Sequence, residues 1–302
     1  MTGREEERKQ MELTYKIFTD TTTDLTPEWM KENNVGWLEH GIVIDGKEIK
    51  DDFGKTVPHK EFYQRLRGGL MPTTTQVDIP TFTNAYEQAL QQGLDVIYIG
   101  FSSKLSGTFN TSLMVARELM EKYPGRRVLS FDTAAAAIGQ GMIVMEAARL
   151  QQQGMSLDEL VDEALPRLKK TICHFFTVDD LNHLYRGGRL SRSSAFLGTL
   201  MGIKPVMYVS DEGKLEPLSK VRGRRQAIAE LARLAKEHVT NPEEQIIYIC
   251  HADCQEDADE LARLVQEQMH PKGIDIRFLT PIIGNHSGPG TLAVFGFGNS
   301  RL

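Results

Sequence analysis

LDVIYIGFSSKLSGTFNTSLMVARELMEK, residues 94–122, decides the fold class. Its opening, Leu94–Phe101, is a nearly continuous apolar run, the pattern of a strand buried on both faces. Ser102–Thr108 then supplies short hydroxyl side chains and a glycine, and a helical pattern follows over Phe109–Lys122. The same order of strand, polar loop and helix occurs upstream, where YKIFT (Tyr15–Thr19) stops at DTTTD (Asp20–Asp24), whose short side chains can cap a helix over Leu25–Asn33. It occurs again downstream, where RVLSFDT (Arg127–Thr133) precedes a small-residue helix over Ala134–Gln153. Apolar strands alternating with helices predict a Rossmann-like parallel sheet with helices on both faces and the three loops gathered along one edge.

The pattern changes near Gly154. Ser156, with Glu159 three residues on, has the form of a capping box and starts a new helix. Beyond it, apolar strands alternate with helices around Asp179–Arg186, Gln226–His238 and Gln255–Met269, while GKLEPLSKV (Gly213–Val221) reads as a hairpin arm, so a mixed sheet is expected. The expected organisation is an α/β N-terminal domain over residues 14–166, a mixed α/β domain over 167–302 and a flexible extension over 1–13. No Pro/Gly/Ser linker separates the halves, and a cleft between packed domains is a favoured ligand position.

Composition narrows the function. The 302 residues are 40% hydrophobic and 25% charged, as in a globular protein, and the formal charge of −6 argues against broad nucleic-acid binding. The basic run KVRGRRQ (Lys220–Gln226) carries no aromatic residue for base stacking and reads as a turn into a helix. Three cysteines make no disulfide framework, and a charged start with no apolar run of about 18 residues suggests a cytoplasmic protein, with a monomer as the default.

Several constellations can carry chemistry. Ser102, Ser103, Ser106, Gly107 and Thr108 stand at a strand-to-helix junction, where unpaired N–H groups suit a carboxylate or phosphate, although the hydroxyls could equally cap the helix. Thr73, Thr74 and Thr75 allow the same two readings, with the cap preferred in isolation. His286, in the Gly- and Pro-rich GNHSGPG segment, is expected on a tight loop, able to hydrogen-bond a carboxylate. Ser106, Asp132 and His286 follow the chain order of a hydrolase triad, but no Gly-x-Ser-x-Gly elbow surrounds the serine. Cys250-His251-Ala252-Asp253-Cys254 lacks a second pair of zinc ligands and reads as a helix start capped by Asp253, with buried sulfur. Gly187 and Gly188 stop a helix and leave Arg189 to meet an anion or a partner. The apolar stretches Ala195–Met207 and Leu292–Gly298 read as core, or as tunnel walls should the ligand be a lipid. A small phosphorylated metabolite is the competing ligand for the anion loops.

Taken together, DTTTD, PTTTQ, SSKLSGT, LYRGGRLS, GIKPV, KVRGRRQA and IGNHSGPG resemble, in order and spacing from about Lys16 to Gly298, the DegV family of bacterial fatty-acid-binding proteins. PTTTQ stands in place of the commoner P-x-T-S-Q, and IGNHSGPG in place of I-G-x-H-T-G-P-G; both departures keep a hydroxyl. The resemblance implies a two-domain α/β protein holding one long-chain fatty acid in a buried tunnel. It places the carboxylate at Thr74, Ser106 and His286, with Ser103 and Thr75 close by. It further implies the substrate-presenting subunit of a fatty acid kinase, in which a separate ATP-binding subunit phosphorylates the acyl carboxylate for phospholipid synthesis. Arg189 and Arg222 would meet that partner or its phosphate. The chain has no Gly-x-x-x-x-Gly-Lys-Ser/Thr loop of its own, consistent with that division. No catalytic residue, metal or cofactor is assigned to it, and a lipid ligand implies transient membrane contact.

Overall fold

The three strands that open the strand–loop–helix units, at Tyr15–Thr19, Leu94–Phe101 and Arg127–Thr133, meet as neighbours in one sheet. The computed structural model describes residues 13–191 and 202–302, so the expected extension, apart from Leu13, and residues 195–201 of the first apolar stretch lie outside the described residues. In chain order the first half contains β1 (Tyr15–Asp20), α1 (Pro27–Glu32), β2 (Gly36–Leu38), β3 (Gly41–Ile44), β4 (Lys47–Lys50), α2 (His59–Arg67) and β5 (Thr73–Thr75). It continues through α3 (Ile79–Gln91), β6 (Asp95–Gly100), α4 (Thr108–Lys122), β7 (Val128–Asp132) and α5 (Ile138–Gln152), then α6 (Leu157–Glu159) and, past a π-helical turn, α7 (Leu165–Thr171). The second half contains β8 (Ile172–Thr177), α8 (Asn182–Arg186), β9 (Ile203–Val209), β10 (Leu215–Arg222), α9 (Arg224–His238) and β11 (Ile246–His251). It ends with α10 (Gln255–Met269), β12 (Gly273–Phe278), α11 (Pro281–Ser287) and β13 (Leu292–Phe297).

The first sheet is parallel throughout, in the order β2-β1-β6-β7. Chain direction across it reverses between β1 and β6, which makes that crevice a topological switch point. The second sheet, β10-β9-β8-β13-β11-β12, is mixed: β9–β10 is the expected hairpin, and only β11–β12 is parallel. The passage from one sheet to the other falls in the helical run α6–α7, opened by the predicted Ser156–Glu159 capping box.

A third sheet, β4-β3-β5, was not anticipated. Its β3–β4 turn is Asp45-Gly46, both at positive φ (51° and 77°), which is the backbone a two-residue hairpin demands. Thr73–Thr75 pairs with β3, so these threonines form an edge strand; the preferred helix-cap reading is corrected. Helix α3 is capped instead by Asp78, which accepts from the Thr81 N–H at 2.8 Å.

Helix α5 explains why the two halves do not separate. Residues 138–144 are buried all around, because this helix sits between the two large sheets, with Ile17, Ile97 and Ile99 on one side and Phe176, Met207 and Phe295 on the other. The outer faces are covered by α3 and α4 on the first sheet and by α9 and α10 on the second. Small residues let α5 approach closely: a Cβ on Gly141 would lie 2.5 Å from the Thr23 carbonyl oxygen. Gly141→Ala is therefore expected to destabilise the fold by about 1–3 kcal/mol in urea unfolding; an unchanged midpoint would show that helix and loop can part without cost.

Polar contacts also cross between the halves. Asp24, after β1, accepts the Thr280 N–H at 2.9 Å, Tyr63 of α2 donates to the Leu279 carbonyl at 2.8 Å, and Arg67 pairs with Asp253. Helix α10 has Cys254 at its N-cap and no side-chain cap bond, and the Asp253 carboxylate pairs with Arg67 instead, which corrects the reading of Asp253 as a helix cap. Burial raises the Asp24 carboxyl from 3.8 to about 7, against the opposing influence of Thr280 and Arg277, and burial does the same to Asp51. Both groups bind a proton more tightly folded than unfolded. Their contribution to stability is full below 3.8 and is lost as pH climbs through about 7. Asp24→Asn should flatten this part of a melting-temperature profile; a variant whose profile keeps the wild-type slope would remove Asp24 as the cause.

Candidate functional site

The loops after β1, β6 and β7 open into a cavity of about 360 Å³, between the carboxyl edge of the parallel sheet and the α5 face of the mixed sheet. That volume lies in the range of small-molecule sites, ~300–1,000 Å³. Its walls are largely apolar, with Phe101 and Leu105 from the first half and Phe176, Val209, Leu215, Ala293 and Phe295 from the second. Thr22, His40, Thr74, Ser106, Arg189 and His286 add polar groups to this lining. Along β13, Ala293 and Phe295 belong to the cavity-side core whereas Leu292 and Val294 belong to the core under α9 and α10, the alternation of a pleated strand.

His286 lies on α11, which starts with Pro281 at its first turn and stops at Gly288, whose φ is 83°. The tight loop expected from the sequence is thus a short helix. Pro and Gly act there as its two terminators. His286 Nε2 is 2.9 Å from Thr74 Oγ1, and Nδ1 has no hydrogen-bond partner among the described residues. Burial, reinforced by the charges of Arg189 and Arg186, lowers its pKa from 6.5 to about 3. The imidazole is neutral at ordinary pH and can present one N–H.

Ser106 satisfies both of its sequence readings. Its Oγ accepts the Thr108 N–H at 3.2 Å, as a cap does, and it lines the cavity. It also lies 3.0 Å from Thr108 Oγ1, which in turn lies 3.1 Å from His40 Nε2. His40 escaped the sequence reading. It follows β2 with no motif around it, yet it is buried against Asp20, with its Nδ1 3.9 Å from the carboxylate.

Arg189 donates from Nε to the Leu105 carbonyl at 2.9 Å and from Nη1 to the Gly187 carbonyl at 2.5 Å. Among the described residues no carboxylate forms an ion pair with it. Burial lowers its pKa, but a guanidinium stays charged, so the cavity contains a half-buried cation without a counter-ion.

The remaining candidates stand further out. Thr75 lines the cavity, but its hydroxyl donates to Glu48 at 2.7 Å. Ser103 is outside the lining; its N–H donates to Asp132 at 3.3 Å. Arg222 is exposed at the far end of β10 from Leu215, about 23 Å away by the rise of an extended strand. Asp132 accepts from backbone N–H groups of Ser103 and Ala134, and His286 Nε2 is directed to Thr74. Ser106, Asp132 and His286 therefore form no nucleophile–base relay, which removes the geometric basis of a serine hydrolase. Among the described residues no group of His, Cys, Asp or Glu is placed to hold a metal, and no helix is long and apolar enough to cross a membrane.

Comparison with known proteins places this architecture. A family model described as an uncharacterised protein of the DegV family matches residues 14–298. The chain belongs to the DegV family. It is 41% identical, over 95% of its length and 98% of the relative's, to a DegV domain-containing protein of Clostridium perfringens. Among solved structures it is similar to a fatty-acid-binding DegV family protein from Thermus thermophilus, with 29% identity, a TM-score of 0.84 and coverage of 94% and 99% of the two chains. It is also similar to DegV, a fatty-acid-binding protein from Bacillus subtilis, with 27% identity, a TM-score of 0.81 and coverage of 95% and 99%. DegV proteins thus share the pairing of a parallel and a mixed sheet seen here.

Proposed function

We propose that this chain binds a long-chain fatty acid, with the acyl tail along the α5 face of the mixed sheet and the carboxylate among Arg189, His286, Thr74 and Ser106. The observation that carries the reading is an apolar cavity to which an uncompensated guanidinium, a neutral imidazole and two hydroxyls contribute. An amphipathic carboxylate matches both parts: each buried methylene contributes about 0.8 kcal/mol, and the headgroup neutralises Arg189. Ser103 and Thr75 would then support the headgroup loops. The fatty-acid-binding relatives from Thermus and Bacillus support the ligand class.

The chain would act as the presenting subunit of a fatty acid kinase, with no cofactor of its own. Thr74 and His286 are only partly buried, so a carboxylate held there stands near the surface while its tail is enclosed. A separate ATP-binding subunit would transfer the γ-phosphoryl group of ATP to a carboxylate oxygen, releasing ADP, and this chain would contribute position and charge. Arg189 would steady the transferred phosphoryl group, and Arg222, exposed, would touch the partner.

Native mass spectrometry of freshly purified protein, followed by denaturation, tests the first part: one fatty acid per chain is expected. Protein that emerges empty and takes up no long-chain fatty acid would refute it. Adding a bacterial ATP-binding fatty acid kinase subunit with Mg²⁺-ATP tests the second part. Acyl phosphate, trapped as the hydroxamate, should form only when both proteins are present. Its absence from a mixture with a matched partner would leave a carrier and no kinase subunit.

A further inference from the structure

One polar side chain in the cavity is not explained by a carboxylate site. His174, on β8, lines the cavity yet is 3% exposed, and neither ring nitrogen makes a hydrogen bond of normal length and angle among the described residues; the Ile172 backbone on the same strand offers the ring only a weak one. Phe295 meets its ring edge-on at 5.4 Å. On another side α5 comes so close that a Cβ on Gly139 would lie 2.0 Å from Nε2. Burial, with the charge of Arg301 acting in the same direction, pushes its pKa well below 6.5, while the Ile172 backbone works weakly the other way. The ring is therefore neutral, with one donor and one acceptor, and a buried polar group left without a partner is costly.

Its position relative to the headgroup follows from strand register. Thr291 lines the cavity just beyond α11, and Phe295, four residues on, pairs directly with His174. At the rise of an extended strand that separation is about 13 Å. A fatty acid with its carboxylate at His286 would pass His174 partway along its tail. A saturated chain offers this imidazole nothing to bond.

We propose that His174 is a specificity residue that hydrogen-bonds an oxygen carried on the acyl chain, so that the preferred ligands are oxygenated, hydroxy- or keto-fatty acids. This rests on the fatty-acid reading above and narrows its substrate class. A hydroxyl can serve either tautomer; a keto oxygen requires the ring N–H to face it.

The test compares stearic acid with a positional series of monohydroxystearic acids on the delipidated full chain, read by calorimetry or ligand competition. Isomers whose hydroxyl falls opposite His174 should bind about tenfold tighter than stearic acid, equivalent to about 1.4 kcal/mol. His174→Leu should erase that ratio while still binding stearic acid, and His174→Gln, which keeps a donor and an acceptor, should preserve part of it. A flat series on the wild-type protein overturns the assignment, as does an unchanged ratio in His174→Leu. Should the leucine variant fail to fold, the wild-type series decides alone, because a preference confined to a few positions supports the contact and a uniform one does not. Wild-type protein that binds none of the acids refutes the fatty-acid reading itself, an outcome distinct from binding all of them equally.

Discussion

His286→Leu is expected to weaken binding of a long-chain fatty acid by about tenfold to a hundredfold. The estimate is the loss of one hydrogen bond to an ionised carboxylate, ~1.5–3 kcal/mol, at 1.4 kcal/mol per decade of affinity. Leucine is chosen because it keeps apolar bulk on α11 and removes only the ring nitrogens. Thr74→Val should act in the same direction. The two residues touch at 2.9 Å, so the double variant should lose less than the sum of the single losses. The pH dependence separates two roles for the imidazole. With its pKa lowered to about 3, His286 stays neutral, and the ratio of wild-type to variant affinity should be constant between pH 6 and 8. A cationic histidine would lose its advantage as pH rises through that window. A ratio that falls with rising pH would therefore show a protonated ring in the complex, held by the bound carboxylate against the repulsion of Arg189.

What the sequence revealed, and what it hid, follows from the range of the interactions involved. Leu94–Phe101 reads as a buried parallel strand because burial on both faces acts on every residue, and Ser156–Glu159 reads as a helix start because the capping box closes within four residues. The β3–β4 hairpin carried an equally local signal in Asp45-Gly46 and could have been read from it. His286 was legible as a candidate, but its helical setting was not: proline and glycine flank a tight loop and a two-turn helix alike. His40 and His174 left no local trace. Each is defined by partners 68 and 121 residues away in the chain, Thr108 for His40 and the paired Phe295 for His174. Ser103 and Ser106 show the opposite limit. They occupy one loop with the same chemistry, and only the turn into α4 brings Ser106 to the cavity and leaves Ser103, whose backbone N–H bonds Asp132, outside its lining.

Ala293→Phe is expected to have the largest effect on ligand binding with the least on folding. Ala293 is 4% exposed, lies in the middle of β13 between Phe176 and Cys250, and presents the smallest side chain on that part of the cavity wall. A phenyl ring there enters empty space instead of packed core, so the unliganded protein should melt no lower than wild type. The long acyl chain, by contrast, would be stopped at the ring. Shutting out about four methylenes at ~0.8 kcal/mol each removes about 3 kcal/mol, more than a hundredfold in affinity. A short-chain acid that ends before the ring should bind as well as before. The neighbouring position supplies the contrast, because β13 alternates: Val294 is 1% exposed in the separate core under α9 and α10. Val294→Phe should overpack that core and lower stability by about 1–3 kcal/mol without changing chain-length preference. If instead Val294→Phe shortened the accepted chain and Ala293→Phe did not, the tail would lie on the other face of the mixed sheet, and the cavity beside α5 would not be the acyl site.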